Sequence, residues 1–263
     1  MPVRHKTKGA ESPAAAGTPV KPAAKAQAKA KAAPSAAPPA AEPLGFSCSE
    51  CGSRNCYRND SSFPDNCATV KNPAGARATR KIYQSDDPRA RLLKVAGEVE
   101  AEFYGRMTRI EETVTLAKKM GFQKIGVASC FALINEAGIF AQCLRSAGLE
   151  PKTVICKVGS IDKGDLGVPD EMKLLPGRKE ATCNPVLQAM VLNEWGAELN
   201  VVMGLCVGHD CLFNSNSLAP VTTLVVKDRV LGHNPAAGFY LSKTFYSRIL
   251  DYSKYPKSRF AKK

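Results

Sequence analysis

The spacing of hydrophobic positions changes along the chain, and each change predicts a different element. Between Pro88 and Met120 apolar residues recur at steps of three and four, without an internal proline, and the run stops at Gly121. Residues three and four apart share one face of a helix. This stretch therefore predicts one long amphipathic helix that ends at the glycine.

Four short aliphatic runs follow, at Lys124–Ala128, Thr153–Val158, Asn200–Leu205 and Thr222–Val226. Helical stretches separate them, one from about Ala132 to Ala147 and one from Pro185 to Trp195. Near-continuous apolar strands that alternate with helices are typical of a parallel sheet covered on both faces. We therefore expect an α/β fold with a mainly parallel, open sheet of about four strands and flanking helices.

Two regions before the long helix lack this patterning. Residues 1–45 are mostly Ala, Pro and Lys, which predicts a disordered tail because little apolar surface can be buried. Residues 46–70 are rich in Cys, Gly, Asn, Ser and Pro, as in a small segment that needs a metal to hold it together. The expected organisation is a tail at 1–45, a cysteine-rich knuckle at 46–70 and an α/β domain at 80–255.

Charge and hydropathy exclude several classes of protein. Most of the net charge of +13 lies in the two termini, which argues against a nucleic-acid partner for the body of the chain. No apolar run approaches the roughly 18–20 residues that cross a bilayer, so no membrane span is expected. The N-terminus also lacks the apolar block of a secretory signal. We therefore expect a cytoplasmic protein.

The chain contains 10 cysteines, which in a reducing compartment indicate metal ligation, redox chemistry or catalysis. Four of them have the spacing C-x2-C-x4-C-x10-C, namely Cys48, Cys51, Cys56 and Cys67. Two thiolates separated by two residues can bind one metal ion, and four sulfurs suit a tetrahedral zinc site or an iron–sulfur cluster. The spacing does not select between zinc and iron.

A second group of cysteines follows the predicted strand ends or precedes a helix: Cys130, Cys183, Cys206 and Cys211, with His209 beside them. Ligands of open parallel sheets bind outside the carboxyl ends of the strands. These residues could hold a second metal or cluster as cofactor. Alternatively, some of them form a nucleophilic or redox dithiol with His209 as the acid–base partner. Cys143 and Cys156 lie within predicted elements, and we interpret both as core residues.

The residues around Lys227 to Arg229 follow the fourth predicted strand, which places them at the same edge, with His233 close behind. The sequence contains no G-x-G-x-x-G after a strand, no Walker loop and no G-x-S-x-G elbow. Nucleotide binding and serine hydrolysis therefore lose their usual support.

Three segments after the knuckle resemble one known family: TRIEETVTLAKKMGFQKIGVASC, CNPVLQAMVLNEWGAELNVVMGLCVGHDCLF and APVTTLVVKDRVLGHNP. The resemblance covers about residues 46–255. It is to the domain-of-unknown-function family 1847, whose members are described as metal-binding proteins. The resemblance implies metal binding at Cys48, Cys51, Cys56 and Cys67, and it leaves the role of the second group open.

We expect a metal-binding protein, with zinc or an iron–sulfur cluster, whose thiolate-rich site at the sheet edge serves electron transfer or sulfur or redox chemistry. A redox protein would then be its partner. The alternative is a regulatory or ligand-binding module in which zinc is purely structural. Replacement of Cys206 changes the metal content under the first hypothesis and not under the second.

Overall fold

The computed structural model describes residues 47–65 and 67–260. The chain divides into two compact units, Met1–Pro73 and Ala74–Lys263. The predicted tail at 1–45 lies outside the described residues. In the first unit the described residues form a turn of 3-10 helix at Cys48–Glu50 and a one-turn helix, α1, at Ala68–Lys71. Cys67 is the one buried residue among those described in this unit.

The second unit contains a four-stranded parallel sheet, as the sequence predicts. The strands are Lys124–Ser129 (β1), Glu150–Ile155 (β2), Leu199–Met203 (β3) and Val221–Val225 (β4). Their order across the sheet is β2-β1-β3-β4. The α-helices that follow α1 are Pro73–Tyr83 (α2), Pro88–Phe103 (α3), Arg109–Met120 (α4), Ile134–Ser146 (α5), Pro185–Trp195 (α6), His209–Asn216 (α7) and Ala236–Tyr240 (α8).

Side chains of the central strands alternate between two hydrophobic cores. Val127 and Val201 face the core formed with α4 and α5, which contains the buried Phe140. Ala128 and Val202 face the core formed with α6 and α7, which contains the buried Phe213. Full burial of a large apolar side chain stabilises a fold by ~1.5–3 kcal/mol relative to its exposure. The sheet is thus covered on both faces, which explains why β1 and β3 read as continuous apolar runs.

The prediction of a single helix from Pro88 to Met120 is wrong, because the structure divides this stretch into α3 and α4. Gly105 has a φ of 66°, which is outside the helical region. Thr108 then caps α4, since its side chain accepts from Glu111 N while the Glu111 carboxylate accepts from Thr108 N at 2.7 Å. This capping box is a start signal, and it outweighs the continuous apolar spacing.

No helix within residues 47–65 and 67–260 is long and apolar enough to cross a membrane. Two helices of eight or more residues in the described part of the chain were absent from the sequence prediction. The first is α2, which carries no buried residue. The second is α7, an eight-residue helix that begins at His209. Its position matters because it immediately follows β3 and Cys206 at the carboxyl edge of the sheet.

Candidate functional site: cysteines at the carboxyl edge of the sheet

Three cysteines lie where neighbouring strands end. Cys130 directly follows β1, Cys156 directly follows β2, and Cys206 comes shortly after β3. Backbone hydrogen bonds extend beyond the strands, because Cys130 N donates to Met203 O at 3.0 Å and Cys156 N donates to Ser129 O at 2.9 Å. The sheet therefore fixes the backbone of Cys130 and Cys156 directly, at one edge.

Cys183 reaches this edge from the segment that precedes α6. The backbone N–H of Asn184 donates to Cys156 O at 2.8 Å, and the Asn184 side chain caps α6 by accepting from Leu187 N at 3.0 Å. The sulfur of Cys183 lies 3.7 Å from the sulfur of Cys156. The fold thus pairs two thiols that are 27 positions apart in the sequence.

The charges around this pair decide which thiol loses its proton. The hydrogen bond from Cys156 lowers the pKa of Cys183 to about 5, and the nearby charges of Lys157 and His209 lower it further against the effect of burial. The same hydrogen bond, together with burial, raises the pKa of Cys156. The lowered pKa favours the thiolate form of Cys183, and the raised pKa favours the thiol form of Cys156. Such a polarised pair is typical of reactive cysteines.

A second thiol at the edge faces a guanidinium group. Arg229 follows β4, and its Nη2 donates to the sulfur of Cys206 at 3.0 Å. The pKa of Arg229 is raised, first by this hydrogen bond and then by the charges of Cys206, Cys130 and Cys183. All three cysteines therefore lie within electrostatic reach of the same arginine. We call Cys130, Cys156, Cys183, Cys206 and Arg229 together the sheet-edge site.

His209 begins α7 near this site. Its Nδ1 is buried and has no hydrogen-bond partner among residues 47–65 and 67–260. An imidazole nitrogen in that condition can accept a proton, donate one or bind a metal. His233 is placed differently, since its Nδ1 accepts from Asp228 N at 3.1 Å within its own loop. The His233 side chain thus stabilises its own loop.

Cys211 is exposed on the first turn of α7. Its backbone N–H donates to Asp210 Oδ1 at 2.8 Å, and no hydrogen bond among the described residues involves its sulfur. Of the predicted second group, the structure therefore brings Cys130, Cys183 and Cys206 together around Arg229 and leaves Cys211 on the surface.

Cys156 is buried, as expected for a core residue, but its sulfur also belongs to the sheet-edge site. The sequence extends its strand to Val158, whereas β2 ends at Ile155. The reason is that β2 lies at the border of the sheet and pairs only with β1, whose last residue, Ser129, pairs with Ile155. Cys143 matches its prediction more simply, since it packs against the core from α5.

Two residues that sequence reasoning missed support the site. The side chain of Gln188 on α6 is fully buried, and its Nε2 donates to Ser129 O at 3.2 Å and to Val154 O at 2.7 Å. It therefore holds together the carboxyl ends of β1 and β2. Lys157 donates to Ala181 O at 2.6 Å, which keeps its charge beside Cys183. In the sequence, the position of Lys157 directly after Cys156 was the signal that could have identified it as part of the site.

The knuckle cysteines in the first unit are differently placed. Cys48 and Cys56 are exposed, Cys51 is half-buried and Cys67 is buried. A hydrogen bond from Ser53 lowers the pKa of Cys51, and one from Thr69 lowers the pKa of Cys67. Both thiols are thus shifted towards the thiolate form that metals bind.

Within the described ranges, no three His, Cys, Asp or Glu side chains are grouped closely enough to hold a metal ion. The donor types nevertheless suit a soft metal, because thiolates and imidazole are the ligands that zinc and iron–sulfur clusters use. In both units, metal binding would have to bring a third donor close to any pair of described ligands.

Comparison with known proteins confirms the resemblance noted in the sequence. The family described as "Protein of unknown function (DUF1847)" matches residues 67–224, a range that contains all the cysteines of the sheet-edge site. An uncharacterised protein of Methanocaldococcus jannaschii is 40% identical over 206 residues, which cover 78% of this chain and 98% of the relative. On these matches, the chain belongs to the family of unknown function DUF1847.

Proposed function

We propose that the sheet-edge site performs thiol–disulfide exchange, with Cys183 as the attacking thiolate and Cys156 as the resolving thiol. The observation that carries this proposal is the distance of 3.7 Å between their sulfurs, in a setting where positive charges surround Cys183. A disulfide needs an S–S distance of about 2.05 Å, so the two sulfurs have a short distance to close.

The exchange proceeds in two balanced steps. The Cys183 thiolate attacks one sulfur of a substrate disulfide, which forms a mixed disulfide and releases the other half as a thiolate. Cys156 then attacks Cys183, its proton passes to the thiolate released first, and the second half of the substrate leaves as a thiolate. The substrate disulfide is reduced by two electrons and the Cys156–Cys183 pair is oxidised. The reverse sequence oxidises a partner dithiol, and a redox protein would suit that role.

The remaining groups have supporting roles in this scheme. Lys157 favours the thiolate form of Cys183, and Gln188 fixes the strand ends that carry Cys130 and Cys156. His209 is the acid–base candidate, because its buried Nδ1 lacks a partner among the described residues and its charge influences Cys183.

The test is to equilibrate the purified chain in buffers of graded thiol–disulfide ratio, trap free thiols and map disulfides by mass spectrometry. We expect one Cys156–Cys183 disulfide to form reversibly, and to disappear in both Cys183→Ser and Cys156→Ser. Cys143→Ser is the matched control, since Cys143 packs against the opposite core. Absence of a disulfide between Cys156 and Cys183 at every thiol–disulfide ratio would refute the proposal.

A metal centre is the second candidate function, favoured by a specific distance. Two thiolates on one tetrahedral zinc ion, with Zn–S of about 2.3 Å, lie about 3.8 Å apart. The observed distance between Cys156 and Cys183 is 3.7 Å. The sheet-edge cysteines would supply the thiolates and His209 an imidazole nitrogen, with Cys211 as a further donor. Zinc would supply structure or Lewis acidity, and an iron–sulfur cluster would supply one-electron transfer.

The knuckle is the proposed place of a structural metal, because its described segment contains a single buried residue to stabilise it. Cys48, Cys51, Cys56 and Cys67 would then hold zinc or a cluster. Anaerobic purification followed by metal analysis, an acid-labile sulfide assay and an absorption spectrum separates these cases. Loss of metal in Cys206→Ser supports a centre at the sheet edge. Loss only in Cys48→Ser supports the regulatory alternative with purely structural zinc.

A further inference from the structure

We infer that the sheet-edge site is built for an anionic substrate, a disulfide or thiol that carries a carboxylate or similar group near its sulfur, which Arg229 binds. This inference rests on the proposed thiol–disulfide exchange and deepens it by naming the substrate class. Thiol–disulfide exchange does not itself require a charged substrate, so the substrate class is inferred from the geometry around Arg229.

Arg229 is available for a ligand. It is an exposed residue whose Nη2 contacts the sulfur of Cys206 at 3.0 Å. Within the described part of the chain its side chain makes no ion pair with a carboxylate and no other hydrogen bond. A guanidinium group has five N–H donors in a planar fork that matches a carboxylate. Most of these donors therefore have no protein partner among the described residues, on an exposed side chain that contacts Cys206.

The acidic side chains next to Arg229 and His209 in the sequence, Asp228 and Asp210, accept hydrogen bonds from backbone N–H groups. Asp228 Oδ1 accepts from Val230 N at 2.9 Å and from Leu231 N at 2.8 Å. Asp210 Oδ1 accepts from Gly208 N at 2.9 Å and from Cys211 N at 2.8 Å. Carboxylates that are tied to backbone amides shape these loops and do not pair with Arg229 in the structure.

The charges of the site also favour an anion. Arg229 and Lys157 are both within electrostatic reach of Cys183, and His209 adds to their effect when it is protonated. A thiolate alone repels an anionic reagent. A nearby guanidinium offsets that repulsion, because it attracts the same anion over a similar distance. The substrate that gains most from this arrangement carries its negative charge close to the sulfur under attack.

Two alkylating reagents of nearly equal size test the inference, because iodoacetate is an anion and iodoacetamide is neutral. The quantity to measure is the ratio of their rates at Cys183, followed by mass spectrometry of the peptide. Each rate depends equally on the amount of thiolate, so the ratio isolates the effect of charge. We expect Arg229→Gln to lower the iodoacetate-to-iodoacetamide ratio by about 3- to 10-fold, the size of one lost attraction in a partly screened site.

Arg248→Gln is the matched control. Arg248 stacks on Tyr246 in the segment after α8, so this substitution removes the same charge at a different place. Arg229→Lys should retain most of the ratio, because it keeps the charge. An unchanged ratio in Arg229→Gln, or an equal fall in Arg248→Gln, would overturn the inference while leaving the exchange proposal standing. If Cys183 reacts with neither reagent faster than Cys143 does, the proposed function fails and this inference fails with it.

Discussion

The cysteine knuckle and the sheet-edge site contain the same kind of residue, yet the chain organises them in opposite ways. The knuckle cysteines lie close in sequence, in a segment where Cys67 is the one buried residue described. The sheet-edge cysteines are spread from Cys130 to Cys206 and are positioned by strands and by α6, against a buried core. If the knuckle holds a metal, as proposed, its cysteines become ordered when the metal binds. At the sheet edge, the fold sets the positions of the sulfurs beforehand.

The two regions should also differ in the source of the free energy that orders their cysteines. Binding of a metal to a loop-dominated segment supplies the free energy that folds it. Chemistry at the sheet edge instead uses positions that the core has already stabilised, which is the usual basis of preorganised sites.

Replacement of a single knuckle cysteine should remove the metal and the order of the knuckle together. We expect Cys67→Ser to lose the metal proposed for the knuckle and to make residues 47–73 sensitive to protease, because structural zinc in small zinc-binding segments contributes about 10–16 kcal/mol of binding free energy. Metal analysis and limited proteolysis measure both effects. Cys143→Ser serves as the control. Equal protease resistance in Cys67→Ser and the unaltered chain would show that the knuckle folds without its ligand.

A glycine at the sheet edge should be the corresponding weak point of the second unit. Gly204 has a φ of 65°, and an added Cβ would lie 2.2 Å from Leu133 Cδ1. Left-handed backbone and overpacking together should make Gly204→Ala less stable by about 2–4 kcal/mol. Denaturant unfolding measures this change. Gly97→Ala is the control, because a Cβ there meets nothing within 4 Å.

The same substitution separates the two regions. Gly204 lies between β3 and Cys206, and Leu133 lies just after Cys130, so their close packing fixes the backbone that carries both cysteines. We expect Gly204→Ala to slow the reaction of the edge cysteines with thiol reagents and to leave the knuckle cysteines unaffected. An unchanged unfolding midpoint would mean that this turn is softer than its geometry indicates.

The pH dependence of alkylation should distinguish Cys183 from an ordinary thiol. Its pKa of about 5 lies below that of an ordinary thiol, so its rate should rise as pH increases through about 5 and be level by pH 7. An ordinary thiol continues to gain rate up to about pH 9. At pH 6 we expect about a ten-fold advantage for Cys183, because its lower nucleophilicity offsets most of its greater thiolate fraction. Mass spectrometry of each cysteine peptide reports this directly. A rate that still climbs above pH 8 would contradict the assignment of the thiolate to Cys183.

Much of the second unit could be predicted from sequence because its signals are local. The aliphatic runs gave the strands, and the alternation of strands with helices gave a parallel sheet whose carboxyl edge collects Cys130 and Cys206. The end of β2 could not be predicted, since it depends on where β1 stops as its partner. Cys156 therefore follows the strand and belongs both to the core and to the site. The link between Gln188 and two strand ends is also a tertiary contact, with no pattern in the sequence to indicate it.

Cys211, the predicted site residue that the structure leaves on the surface, should have little influence on the chemistry of Cys183. Its place shortly after the third predicted strand assigned Cys211 to the site. In the structure its side chain is exposed on α7, and no hydrogen bond among the described residues involves its sulfur. We expect Cys211→Ser to change the rate of Cys183 alkylation and the formation of the Cys156–Cys183 disulfide by less than about two-fold, because solvent and salt screen an exposed side chain from the pair. Kinetic trapping at pH 6 measures both. A larger loss, at unchanged stability, would mean that Cys211 moves towards the edge during the reaction, and the sheet-edge site would then share the ligand-dependent order that characterises the knuckle.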